Sequence, residues 1–92
     1  MTGDKIRKVL SGYRSYLTSN YSQFEADSKH KHLLKMIPQI EEFIDQGRLE
    51  KAFRWLGFMQ GAFWALGDYT ISELKRHNMP ALPRSGTLPN NA

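Results

Sequence analysis

An all-α fold is predicted for this chain, with three main helices, one short capped helix and a disordered tail. Three observations lead to it. Apolar residues recur at three- and four-residue spacing in separate stretches of the chain. The run Thr70, Ile71, Ser72, Glu73 has the pattern of a capping box. The segment from Arg48 to Leu66, RLEKAFRWLGFMQGAFWAL, places two tryptophans, three phenylalanines and two glycines in about five helical turns and holds most of the apolar content available for burial.

Ile6, Val9, Leu10, Tyr13, Tyr16 and Leu17 share one face of a helix over roughly residues 4–20, because each residue turns the chain by about 100°. Arg7, Ser11, Arg14 and Thr18 share the opposite face. A polar stretch follows, SNYSQFEADSKHKH, where irregular structure is expected with one short turn capped by Ser22 and Glu25. Leu33, Met36, Ile37, Ile40, Phe43 and Ile44 define a second amphipathic helix, with Lys35, Gln39, Glu42 and Asp45 opposite and Gly47 as its stop. Pro38 has no N–H, so it either kinks that helix or marks the first turn of one beginning there, and its place on the polar side favours a kink. The aromatic segment is the third helix, ended by Gly67. The capping box then starts a fourth helix over Ile71 to His77, with Tyr69 set to staple against Leu74. Asn78 suits a left-handed cap and Pro80 a hard stop, while Lys75, Arg76 and His77 complement the last carbonyls. Residues 1–80 are expected to form a single helical domain. Residues 81–92 have no periodicity and few apolar anchors, which predicts disorder. No internal repeat is present.

At 92 residues the chain is near the lower limit for a self-sufficient core, which makes oligomerisation a natural way to gain buried surface. Cysteine is absent, so disulfides and thiolate zinc sites are excluded and a reducing, cytoplasmic setting is expected. The N-terminal MTGDKIRKVL does not have the pattern of a signal peptide, and no stretch approaches the roughly 20 apolar residues of a membrane span. The net charge of +4 favours acidic partners without identifying nucleic acid.

No catalytic, cofactor or metal site is expected. His30 and His32 would point about 200° apart on a helix and have no carboxylate or thiolate at supporting spacing. Glu41 and Glu42 diverge around their helix, with Asp45 near its end, and neither Ser28 nor Ser72 has a neighbouring motif that would activate a nucleophile. For nucleic acid, the third and fourth helices outline a helix-turn-helix in which Ser72, Lys75, Arg76, His77 and Asn78 lie on the second helix. Lys5, Arg7, Lys8 and Arg14 supply a further basic set on the first. The shortness of the fourth helix and the C-terminal position of its cations place this second to a protein-binding role.

On the third helix Leu49, Phe53, Leu56, Met59, Phe63 and Leu66 project onto a core arc, with Ala52, Trp55 and Trp64 at its margins. Gln60 falls inside that arc. A buried amide without partners costs about 1–3 kcal/mol, so Gln60 either bonds a helix end or an indole N–H or makes a polar contact to a small ligand. On the opposite side Gly57, Gly61 and Ala65, beside Phe58, make a smooth strip. Each glycine costs a helix roughly 1 kcal/mol relative to alanine, so another surface is expected there: the first or fourth helix, a second copy in a homodimer, or a foreign partner.

The segment Glu50 to Asn78, EKAFRWLGFMQGAFWALGDYTISELKRHN, resembles the C-terminal module of a family of small proteins of tailed bacteriophages that have no assigned activity. The resemblance rests on Arg54, Trp55, Leu56, Gly57, Phe58, Gln60, Gly61, Trp64 and Gly67, then on Tyr69, Thr70, Ile71, Glu73, Leu74, His77 and Asn78. Residues 1–47 bring no match. The resemblance implies a small interaction protein that binds and modulates a protein of the host cell, in defence or transcription. A DNA- or RNA-binding protein is the first alternative, and a small-ligand-binding protein the second.

Overall fold

The computed structural model describes residues 1–79, and the expected disordered tail, residues 81–92, lies outside them, as does Pro80. Four helices are arranged in the order α1 (Gly3–Ser19), a 3₁₀ turn (Tyr21–Gln23), α2 (Lys29–Asp45), α3 (Leu49–Ala65) and α4 (Ile71–Asn78). Among the described residues there is no strand, and no helix is long and apolar enough to cross a membrane.

Local chemistry explains where each helix starts and stops. Thr2 and Ser28 cap α1 and α2, their hydroxyls accepting the Lys5 and Lys31 backbone N–H groups at 3.1 Å. The Ser28 cap starts α2 one turn earlier than the apolar periodicity predicts, and the polar KHKH forms that turn. The Ser22–Glu25 box does not form, because the 3₁₀ turn begins after Asn20 with no side-chain cap. Pro38 lies inside α2 with its ring exposed, so no helix begins there. Gly47 and Gly67 adopt φ of 76° and 83°, which a side chain would oppose. Around each, two backbone bonds close the preceding helix: Arg48 N–H to the Phe43 carbonyl with Gly47 to Ile44, and Asp68 N–H to the Phe63 carbonyl with Gly67 to Trp64. Both bonds of the Thr70–Glu73 capping box are made, at 3.1 and 2.8 Å.

The core is one cluster drawn from all four helices, including Ile6, Leu10 and Leu17 of α1, Ile37 and Ile40 of α2, Leu56, Met59 and Phe63 of α3, and Leu74 of α4. The core arc expected on α3 is narrower than the projection implies. Its buried stripe is Ala52, Leu56, Met59, Gln60 and Phe63, while Leu49, Phe53 and Leu66 are exposed and Trp64 more so. Trp55 is half-buried, edge-on to Phe43 at 4.9 Å. The reason is coverage: α1 and α2 pack on one side of α3, and α4 folds back mainly against α1. Ala52, placed at the margin by projection, is fully buried.

Candidate functional site

The inward side of α3 carries a polar network that locks α4 in place. Gln60, only 6 % exposed, donates from Nε2 to the Tyr13 hydroxyl at 2.9 Å and to Asn78 Oδ1 at 2.8 Å. Asn78 Nδ2 returns a bond to Gln60 Oε1 at 2.9 Å, making a reciprocal amide pair. The Tyr13 hydroxyl also stands 2.8 Å from His77 Nδ1. Since Tyr13 already accepts from Gln60, its own proton is best placed on a neutral His77 ring protonated at Nε2. Burial, the largest influence, holds His77 below its ordinary value; Glu73 opposes the shift, and Arg76 and Lys5 add to it. Burial also pushes the Tyr13 hydroxyl up to about 12, although the bond from Gln60 works against it.

Gln60 is therefore satisfied at the end of α4, through the Asn78 side chain, and by Tyr13 rather than an indole, with its amide occupied by protein side chains rather than turned into a cleft. Asn78 is the last helical residue rather than a left-handed cap, with Met79 extended after it. The same contacts change the helix-turn-helix outline, because two of the residues assigned to face nucleic acid, His77 and Asn78, point inward.

A second polar junction fastens the turn between α3 and α4. Asp68 takes the Tyr16 hydroxyl on Oδ1 and has His30 Nε2 2.8 Å from Oδ2. His30 stacks on Phe24 at 4.3 Å. The bond to Asp68 pushes Tyr16 up to about 12. His32, by contrast, is exposed and lines a groove between α2 and α3. Among the described residues no group of three or more His, Asp or Glu stands close enough to hold a metal.

The cations of the nucleic-acid alternative separate into three groups. Arg7 pairs with Asp45, and Arg14 with Glu41 at 2.8 Å, so both bind α1 to α2. Lys5 and Lys8 face the other way and meet Arg76 across a cleft between α1 and α4. Lys75 is exposed and lies outside that cleft. Periodicity within α1 already parts Lys5 and Lys8 from Arg7 and Arg14, whereas what each set meets depends on how α2 and α4 lie against α1.

The outward side of α3 is where the predicted partner surface lies, and among the described residues nothing covers it. An added methyl at Gly57 or Gly61 would meet nothing within 4 Å, so neither α1 nor α4 covers the strip. Around it Phe58 is 62 % exposed, Trp64 55 % and Phe53 47 %. Phe58 also forms one wall of the groove that holds His32, of about 450 Å³, whose other lining includes Met36, Gln39 and Trp55. The strip and the groove thus form one continuous apolar surface. Isolated exposed apolar residues are common on proteins, whereas a cluster of large aromatics beside open glycines is unusual.

Comparison of the chain with protein-family models, with characterised proteins and with solved structures gives no match.

Proposed function

We propose that this is a small, non-catalytic interaction protein that binds and modulates a protein of the host cell in the cytoplasm, using the outer face of α3 as its contact surface. The carrying observation is the exposure of Phe53, Phe58 and Trp64 around two glycines with open space before them. Aromatic side chains supply large contact area, and glycines allow a partner backbone to come close, a combination that suits the centre of an interface. Arg54 and Glu50 on the same helix are largely exposed and supply charge of both signs at the edge. Support also comes from the phage-type resemblance, since Arg54, Gly57, Phe58, Gly61 and Trp64 are among the residues that carry it and lie outside the core.

A photo-crosslinking residue at Phe58, in cells that make the protein, tests this directly. A defined crosslinked protein is expected at Phe58, lost when Gly61→Leu is added and absent when the crosslinker replaces exposed Ser15 of α1. Equal, unspecific crosslinking from both positions overturns the proposal. Sedimentation of the purified chain tells a homodimer from a foreign partner: self-association abolished by Gly61→Leu, with helicity retained, identifies a second copy as an occupant of this face.

A further inference from the structure

Lys5, Lys8 and Gly12 follow one another at three- and four-residue spacing, which places them along one side of α1. That side faces the last turn of α4, where the His77 bond to Tyr13 and the Asn78 pair with Gln60 fix the backbone beside Arg76. Between the helices is a cleft of about 270 Å³, lined by Lys5, Lys8, Arg76 and His77, with Gly12 and Tyr69 among its other walls. Among the described residues none of these three cations has an ion-pair partner, in contrast to Arg7 and Arg14. Residues 80–92 contain no Asp or Glu that could supply one. Of the nearby acids, Glu73 is engaged by the Thr70 N–H, and Asp4 is exposed on an adjoining groove that Lys5 and Lys8 share.

Three cations without an ion-pair partner among the described residues are brought to one cleft from two helices, with Glu73 near enough to Arg76 to balance part of its charge, and an anion between them relieves the repulsion that is left. We propose that this cleft binds a phosphate monoester carried on a small planar ring, a ligand of mononucleotide size. Arg76 offers a planar fork and the lysines point charges, a donor set suited to the doubly charged phosphate. His77 lines the same cleft and has a second ring nitrogen, Nε2, that the Tyr13 bond does not use. Gly12 has no neighbour within 4 Å of an added methyl, so a ligand can lie close to α1 there. Half-buried Tyr69, held edge-on by Phe63 at 5.3 Å and His77 at 4.9 Å, gives the planar ring an apolar wall. The volume, about 270 Å³, is just under the usual small-molecule range of about 300–1,000 Å³, which suits one nucleotide.

Amide NMR titrations of the full chain with AMP, adenosine, inorganic phosphate and a thymidine oligonucleotide test the proposal. AMP is expected to shift the Gly12, Tyr69 and His77 amides with a Kd below about 1 mM, and adenosine and phosphate alone to bind about tenfold more weakly or worse. Lys8→Ala and Arg76→Ala should each weaken AMP by about tenfold, whereas Arg7→Ala, Arg14→Ala and Gly61→Leu should leave it unchanged. Melting curves confirm that each variant is folded. The proposal falls if about 10 mM AMP leaves those amides unmoved. It falls too if Arg7→Ala weakens binding as much as Arg76→Ala, since diffuse charge is then responsible. Tight, steeply salt-dependent oligonucleotide binding without any response to AMP would replace it with a nucleic-acid track.

Discussion

The two sides of α3 differ in a way that residue type alone would reverse. On the inward side a polar residue, Gln60, is buried with its amide oxygen and nitrogen bonded. On the outward side three large aromatics face solvent. Burial in this protein follows from which neighbours a helix has, and α3 has neighbours on one side. The polar network does what an apolar contact cannot: its directional bonds hold the eight-residue α4, too short to persist alone, in one position against α1. The outer face has no such partners among the described residues.

Two phenylalanines five residues apart give the largest test of this contrast. Phe63→Ala should destabilise by about 3–5 kcal/mol in urea denaturation, while Phe58→Ala should stay within about 0.5 kcal/mol. Comparable losses would mean that the outer face is packed in solution, most simply by self-association. Next in size is Gln60→Leu, which orphans the Asn78 amide and removes a donor from Tyr13. A loss of about 1–3 kcal/mol is expected, with hydrogen exchange rising selectively in α4. Uniform exchange across all helices would show that Gln60 merely fills space.

Gly61→Ala is expected to stabilise the monomeric fold by about 1 kcal/mol, since the added methyl meets open space on a helix. The same change should weaken partner binding. A destabilised monomer would place an intramolecular neighbour on the strip.

The smallest effect is a pH dependence from His77. Its folded-state value lies below the ordinary 6.5, so in acid the unfolded chain binds the proton more readily than the folded one. Stability should fall as pH drops from about 6.5, as the ring must charge where it is partly buried and near Arg76 and Lys5, and loses its role as acceptor for Tyr13. His77→Gln should flatten the pH profile of the urea midpoint between roughly pH 6.5 and 5 relative to the parent chain. Unchanged slopes would mean that the ring takes up its proton alike in the folded and the unfolded chain.

Helix number, order and approximate limits were legible in the chain itself. The reason is that three- and four-residue periodicity, the Thr70–Glu73 box and the stops at Gly47 and Gly67 are local signals, set by backbone geometry within a turn or two. The start of α2 was legible only in part, because Ser28 caps a polar turn that apolar periodicity does not see. Which of the apolar residues on α3 stay exposed, which cations pair and which converge, and what satisfies Gln60 were decided by tertiary structure. Tyr13 meets Gln60 across 47 positions of sequence and His77 across 64, and Arg14 meets Glu41 across 27. Such contacts depend on how α2, α3 and α4 are laid against α1, and a helical projection, which knows only angles about one axis, holds no information on which side a neighbouring helix will come to lie.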